Sequence, residues 1–197
     1  MPKEHIEGFR ITPNAYEKTV RVDLAQDQQA EITVFDGDQV ILQQRFQGGI
    51  TLSYNFELWS PENPKLYSFA LRNEAGDEVQ SYFAVRSFGK MKDKNGVMRL
   101  TLNGKPYFFN GVLDQGYWSD GMLTYPCDEA AVDELSMLKE MGFNTVRKHI
   151  KLEPMRWYHH CDRLGLVVWQ DFVNGGGAYK FTHIAVDLVN HHINSNK

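Results

Sequence analysis

A chain of 197 residues, 42% hydrophobic and 23% charged, has the make-up of a globular protein able to bury one large core or two ordinary ones. Its formal net charge of −4 supplies no basic surface for tracking phosphates, so nucleic acid is not an expected partner. No run approaches the roughly 18 apolar residues of a membrane span, so no membrane partner is expected; MPKEHIEGF is no signal peptide, and localisation stays open.

From about Glu7 to Ser87, short alternating stretches are separated by turn residues: 19–24, 30–35, 39–46, 51–58, 66–72 and 78–86. Period-2 alternation, punctuated by DGD, QGG, SPENP and EAGDE, predicts half-buried antiparallel strands. Six or seven strands in this span fit an immunoglobulin-like β-sandwich over residues 1–88. Pro61 and Pro64 fall between strands, where a missing donor does no harm.

After Phe88 the pattern changes. KMKDKNG (90–96) reads as a charged connector, and MRLTLNGKPYFF as a hairpin turning at Asn103-Gly104. Asp128 to Met141 reads as a helix: Val132, Leu135, Leu138 and Met141 fall on one face, acids load the first turn and Gly142 ends it. NTVRKHI is the next strand. Pro154 opens a second helix with Trp157, Cys161 and Leu164 on one stripe, closed by Gly165, and LVVWQDF is a continuous apolar strand. Strand, helix, strand within this distance is a parallel βαβ unit. With the strand before the first helix, residues 89–197 read as the opening of a (β/α)₈ TIM barrel, about three strands, hence incomplete. Such barrels do their chemistry at the C-terminal strand ends, where Arg147, His149 and Asp171 stand.

Several side chains are expected to be inert. His159 and His160 lie on the second helix as surface or packing residues. Cys127 and Cys161 have no CxxC spacing or zinc framework and read as unpaired thiols, so neither a metal nor a cofactor is expected. Asn174-Gly175-Gly176-Gly177 is a loop at the barrel mouth without the Lys-Ser/Thr of a phosphate loop, and one further candidate helix follows it.

WSPENPKLY (59–67), LNGKPYFFNGV, GFNTVRKHIKLEP and WYHHCDRLGLVVWQDF together resemble glycoside hydrolase family 2, the group of β-galactosidases, β-glucuronidases and β-mannosidases. The likeness covers roughly residues 5–178, with VVWQDF nearer the β-mannosidase-like branch. It implies a fragment of a retaining β-glycosidase acting on a β-linked carbohydrate, without the N-terminal jelly-roll domain of a full member. In the family, the acid/base Glu follows an Asn at the end of the fourth strand, and the nucleophile Glu ends the seventh. No Asn-Glu pair follows Val173 and no Glu follows Glu153, so no catalytic residue is assigned and the chain is expected to be inactive.

The resemblance implies substrate-binding or supporting roles for five side chains, each with a structural alternative. Arg147 matches the family's second-strand Arg, which holds a nucleophilic carboxylate, or else makes a structural salt bridge. His149, on the same pleat face, contacts sugar or is a satisfied loop histidine. Asp171 accepts from sugar hydroxyls or from loop amides. Trp169 lines the pocket or fills the barrel. Trp118, in the loop with Asp114, Gln115 and Tyr117, stacks on a pyranose or packs in the core. That loop lacks the Arg-His-Glu-like run of β-galactosidases. The alternative function is a non-catalytic carbohydrate-binding or interaction module, and open sheet edges favour self-association.

Overall fold

The computed structural model describes residues 5–173, which fall into two compact units. The first takes residues 5–60 and 65–106, the second residues 61–64 and 107–173. The glycine-rich loop from Asn174 and the candidate helix after it lie outside the described residues.

The first unit is built from ten strands. β1 (Phe9–Asn14), β2 (Thr19–Leu24) and β5 (Gly49–Ser53) form one antiparallel sheet in the order β1-β2-β5. β3 (Gln29–Asp36), β4 (Gln39–Gln47), β6 (Tyr67–Asn73) and β7 (Glu78–Phe83) form a second in the order β4-β3-β6-β7. Alternation decides what each strand buries. Val20, Val22 and Leu52 from one sheet meet Ile32, Val34, Phe69 and Leu71 from the other in a single core, so the two sheets make a β-sandwich. Its centre is aromatic: Phe56 meets Tyr67 and Phe83 edge-on, with ring centroids 5.1 and 5.5 Å away.

Two expectations need correction here, and one strand went unread. The stretch 51–58 pairs only as far as Ser53. Beyond it Phe56 is buried in the core, and the Glu57 amide donates to the Tyr67 hydroxyl (2.9 Å). β1 was hidden because Pro13 and Asn14 interrupt its alternation, yet both pair with β2. The charged stretch from Lys90 is no simple connector. β8 (Phe88–Lys92) pairs with β9 (Met98–Leu102), which pairs in turn with the short β10 (Lys105–Pro106). The β9–β10 turn lies at Asn103-Gly104, both left-handed (φ 53° and 74°), as a tight hairpin requires.

The second unit contains β11 (Gly111–Asp114), α1 (Asp128–Glu140), β12 (Thr145–Lys148), α2 (Met155–Leu164) and β13 (Val167–Gln170). The strands form a parallel sheet, β11-β12-β13. Val146 and Val168 face the helices and pack with Ala131, Leu135, Trp157, Tyr158 and Cys161. The α1 stripe is therefore Ala131, Leu135 and Leu138; Met141, expected on it, lies past the helix end and is 65% exposed. Gly165 ends α2 in the left-handed conformation (φ 77°).

Candidate functional site

Parallel pairing in register puts Leu113, Arg147 and Trp169 side by side in one row across the sheet. Alternation places this row opposite Val146 and Val168, away from the helices. Leu113, on the edge strand β11, is 55% exposed there.

Arg147 and Asp171 meet at the edge of this row. The Arg147 Nε donates to Asp171 Oδ1 (3.2 Å) and its terminal nitrogen to Oδ2 (2.9 Å), a two-pronged ion pair. The two ends of the pair differ in environment: the Arg147 side chain is 50% exposed, that of Asp171 10%. Each carboxylate oxygen takes one guanidinium N–H and keeps a second lone pair for another donor. Beside them Trp169 is half-buried, and its buried indole N–H finds no acceptor among the described residues.

The other strand ends carry further polar groups. The ladder runs one step beyond the strands, with the His149 amide on the Asp114 carbonyl (2.9 Å) and the Asp171 amide on that of Lys148 (3.0 Å). The Gln115 side-chain amide nitrogen lies 2.9 Å from His149 Nδ1; since an amide NH₂ only donates, this contact has Nδ1 as the acceptor and leaves the ring proton to Nε2. Trp118 is half-buried and pairs through its backbone with Met122 in a small loop hairpin, packing partly against the helical core. Tyr117 and Met122 in the same loop are largely exposed. The structure thus joins Arg147 to Asp171 across neighbouring strands with Trp169 in the same row, sets His149 against Gln115, and leaves Trp118 in the loop after β11.

Sequence reading passed over the polar groups on the helix side. Lys148 follows Arg147, so it projects to the opposite face, where its side chain is 1% exposed. Its ammonium pairs with Asp114 and with Glu153 (2.9 Å) and lies over the Trp157 ring at 4.3 Å. Lys151 pairs with the same Glu153 oxygen (2.7 Å) and donates to the Gly116 carbonyl. Tyr158 donates to Gln170 Oε1 (2.5 Å) and accepts from the Glu153 amide. Burial raises the Tyr158 hydroxyl to about 12. Burial first, and then Asp114, raise the Glu134 carboxyl. A lysine beside Arg147 in a strand of a parallel sheet was the available signal, because alternation sends one of the two to the helix-covered face, where it must find carboxylates.

Ile150 has a left-handed backbone (φ 49°), which for a β-branched residue costs about 1–3 kcal/mol. It stands between His149 and the Lys151–Glu153 pair. Burial lowers the pKa of His159 and His160 on α2.

No protein-family model matches the chain. It is 35% identical to a β-galactosidase of Enterobacter cloacae over 115 residues, 56% of the chain and 11% of that protein. A β-galactosidase of Photobacterium profundum is 26% identical over 85% of the chain, which is 18% of its own length. The chain thus spans less than a fifth of these two relatives. Among solved structures, Faecalibacterium prausnitzii β-glucuronidase superposes with a TM-score of 0.74 at 26% identity, covering 88% of this chain and 29% of that one. A Bifidobacterium dentium β-glucuronidase, solved with coumarin-3-O-glucuronide, shares the fold at a TM-score of 0.73 and 18% identity, over 86% of this chain and 31% of its own.

Proposed function

We propose that this chain, a homologue of the β-galactosidases and β-glucuronidases of glycoside hydrolase family 2, forms the sugar-holding part of a retaining β-glycosidase site without the residues that break the bond. On this reading the sandwich is immunoglobulin-like and the parallel sheet is the opening of a TIM barrel. The carrying observation is the Arg147–Asp171 pair beside Trp169 at the C-terminal ends of parallel strands. A pyranose needs oxygens that accept from its hydroxyls and a ring that covers its C–H face. Asp171 supplies the first, with orientation fixed by Arg147, and Trp169 or Trp118 the second. His149, with its proton on Nε2, adds a donor.

Glycosidic cleavage with retention needs one carboxylic acid to protonate the leaving oxygen and one carboxylate to attack the anomeric carbon, about 5–5.5 Å apart. The carboxylates at these strand ends are committed elsewhere: Asp171 to Arg147, Asp114 to Lys148, Glu153 to two lysines. The test is to titrate the 197-residue chain with aryl β-glycosides, watching turnover and the resonances of Arg147, His149, Trp118, Trp169 and Asp171 together. Saturable perturbation of these residues without turnover is expected. Turnover above a mock preparation would overturn the inactivity, and silence at all five would overturn the sugar-holding role.

A further inference from the structure

The buried network on the helix side of the parallel sheet takes no part in holding a sugar, and its connectivity suggests another task. It touches the end of every strand in the sheet: Asp114 at the end of β11, Lys148 at the end of β12, and Gln170 at the end of β13. Gln170 donates to the Lys151 carbonyl (2.7 Å) and to the Asp171 carbonyl (2.6 Å), so it grips both the loop after β12 and the backbone of the Arg147 partner. Lys151 closes the circuit from the β12 loop to the β11 loop through Gly116. Gly116 is shaped around this contact: it is left-handed (φ 65°), and a Cβ there would lie 2.4 Å from the Lys151 ammonium and 2.6 Å from Glu153 Oε1.

Stability alone does not explain such a network. Apolar residues of similar volume commonly serve as well as a buried ion pair, because the charges must be desolvated. Directional bonds, by contrast, fix where each backbone segment stands. What they fix here is the β12 loop, where His149 is followed by the left-handed Ile150 and then by Lys151 and Glu153. The network also brackets the His149–Gln115 contact: Asp114 and Gly116, held by Lys148 and Lys151, flank Gln115, while Lys148 and Lys151 themselves flank His149 and the left-handed Ile150.

We propose that Lys148 is a positioning residue: with Glu153 and Lys151 it locks the two strand-end loops together, holds Ile150 left-handed, and thereby keeps His149 and Gln115 in contact. This deepens the sugar-holding reading, since that contact sets the tautomer His149 offers to a ligand, but its test needs no sugar. In isotope-labelled chain at a pH where the ring is neutral, His149 should show one tautomer, protonated on Nε2, with magnetisation transfer to the Gln115 side-chain amide. Lys148→Met is expected to average the ring nitrogens and abolish the transfer. Leu135→Ala, an equally buried change in the same core, is expected to leave both signals intact. Should Lys148→Met fail to fold, Lys151→Met is read in the same way. Survival of both signals in the lysine variant overturns the proposal, as does their equal loss in Leu135→Ala, which would mark a merely structural effect. A wild-type chain that shows the tautomer response but binds no β-glycoside would defeat the sugar reading and leave the positioning role standing.

Discussion

Arg147 and Lys148 are neighbours in one strand and have opposite physics. Arg147 is half in water, so screening and side-chain entropy offset most of its attraction to Asp171, and such pairs contribute about 0–1 kcal/mol. Arg147→Ala should therefore change stability by less than about 1 kcal/mol in urea titrations while weakening glycoside binding. Lys148→Met leaves the partly buried Asp114 without its cation and Glu153 with Lys151 alone, and the same titration should record a loss of about 3–5 kcal/mol. Tyr158 provides a pH test. Its hydroxyl ionises near 10 in the unfolded chain and is raised to about 12 in the fold, chiefly by burial. A raised pKa means that the contribution is complete below pH 10 and is lost as pH rises toward 12. Denaturation midpoints should fall over that window, and in Tyr158→Phe the fall should be shallower.

The elements were legible where one face meets one core. The strands around Val20, Ile32 and Phe69 alternate cleanly because each lies between the other sheet and solvent. The helix around Trp157 showed itself through its stripe and its closing glycine. Gly165→Ala should cost at least about 2 kcal/mol by denaturation, since alanine pays about 1–2 kcal/mol in the left-handed region and its Cβ would lie 2.5 Å from the Pro61 carbonyl oxygen. Less legible were elements whose order comes from partners distant in sequence. β1 is held by its register with β2 despite Pro13, and β8 by pairing with β9 despite three lysines in 90–94. At the site, strand ends gave Arg147, His149 and Asp171 from sequence. The Lys148–Asp114–Glu153 network was not seen because its members lie on three separate segments, and only folding reveals that each answers another's charge.

At the scale of the whole molecule, the two units differ in how completely their strands are covered. The sandwich strands β3 and β6 each lie between two others and over a closed aromatic core, whereas the parallel sheet has Leu113 and Arg147 exposed on one face. Amide hydrogen exchange followed by mass spectrometry should thus be slowest in β3 and β6 and faster in β11–β13 in dilute chain. Light scattering at rising concentration should report association if that face is what slows it. The in-register parallel ladder also imposes an arithmetic of parity on this chain. One residue inserted between Asn144 and Arg147 would exchange the sides of the sheet on which Arg147 and Lys148 emerge, putting a guanidinium among valines and tryptophan and an ammonium beside Asp171. Two inserted residues would restore both. Length changes in functional relatives should accordingly fall outside this strand or come in pairs, and an alignment of such chains can be read for that rule directly.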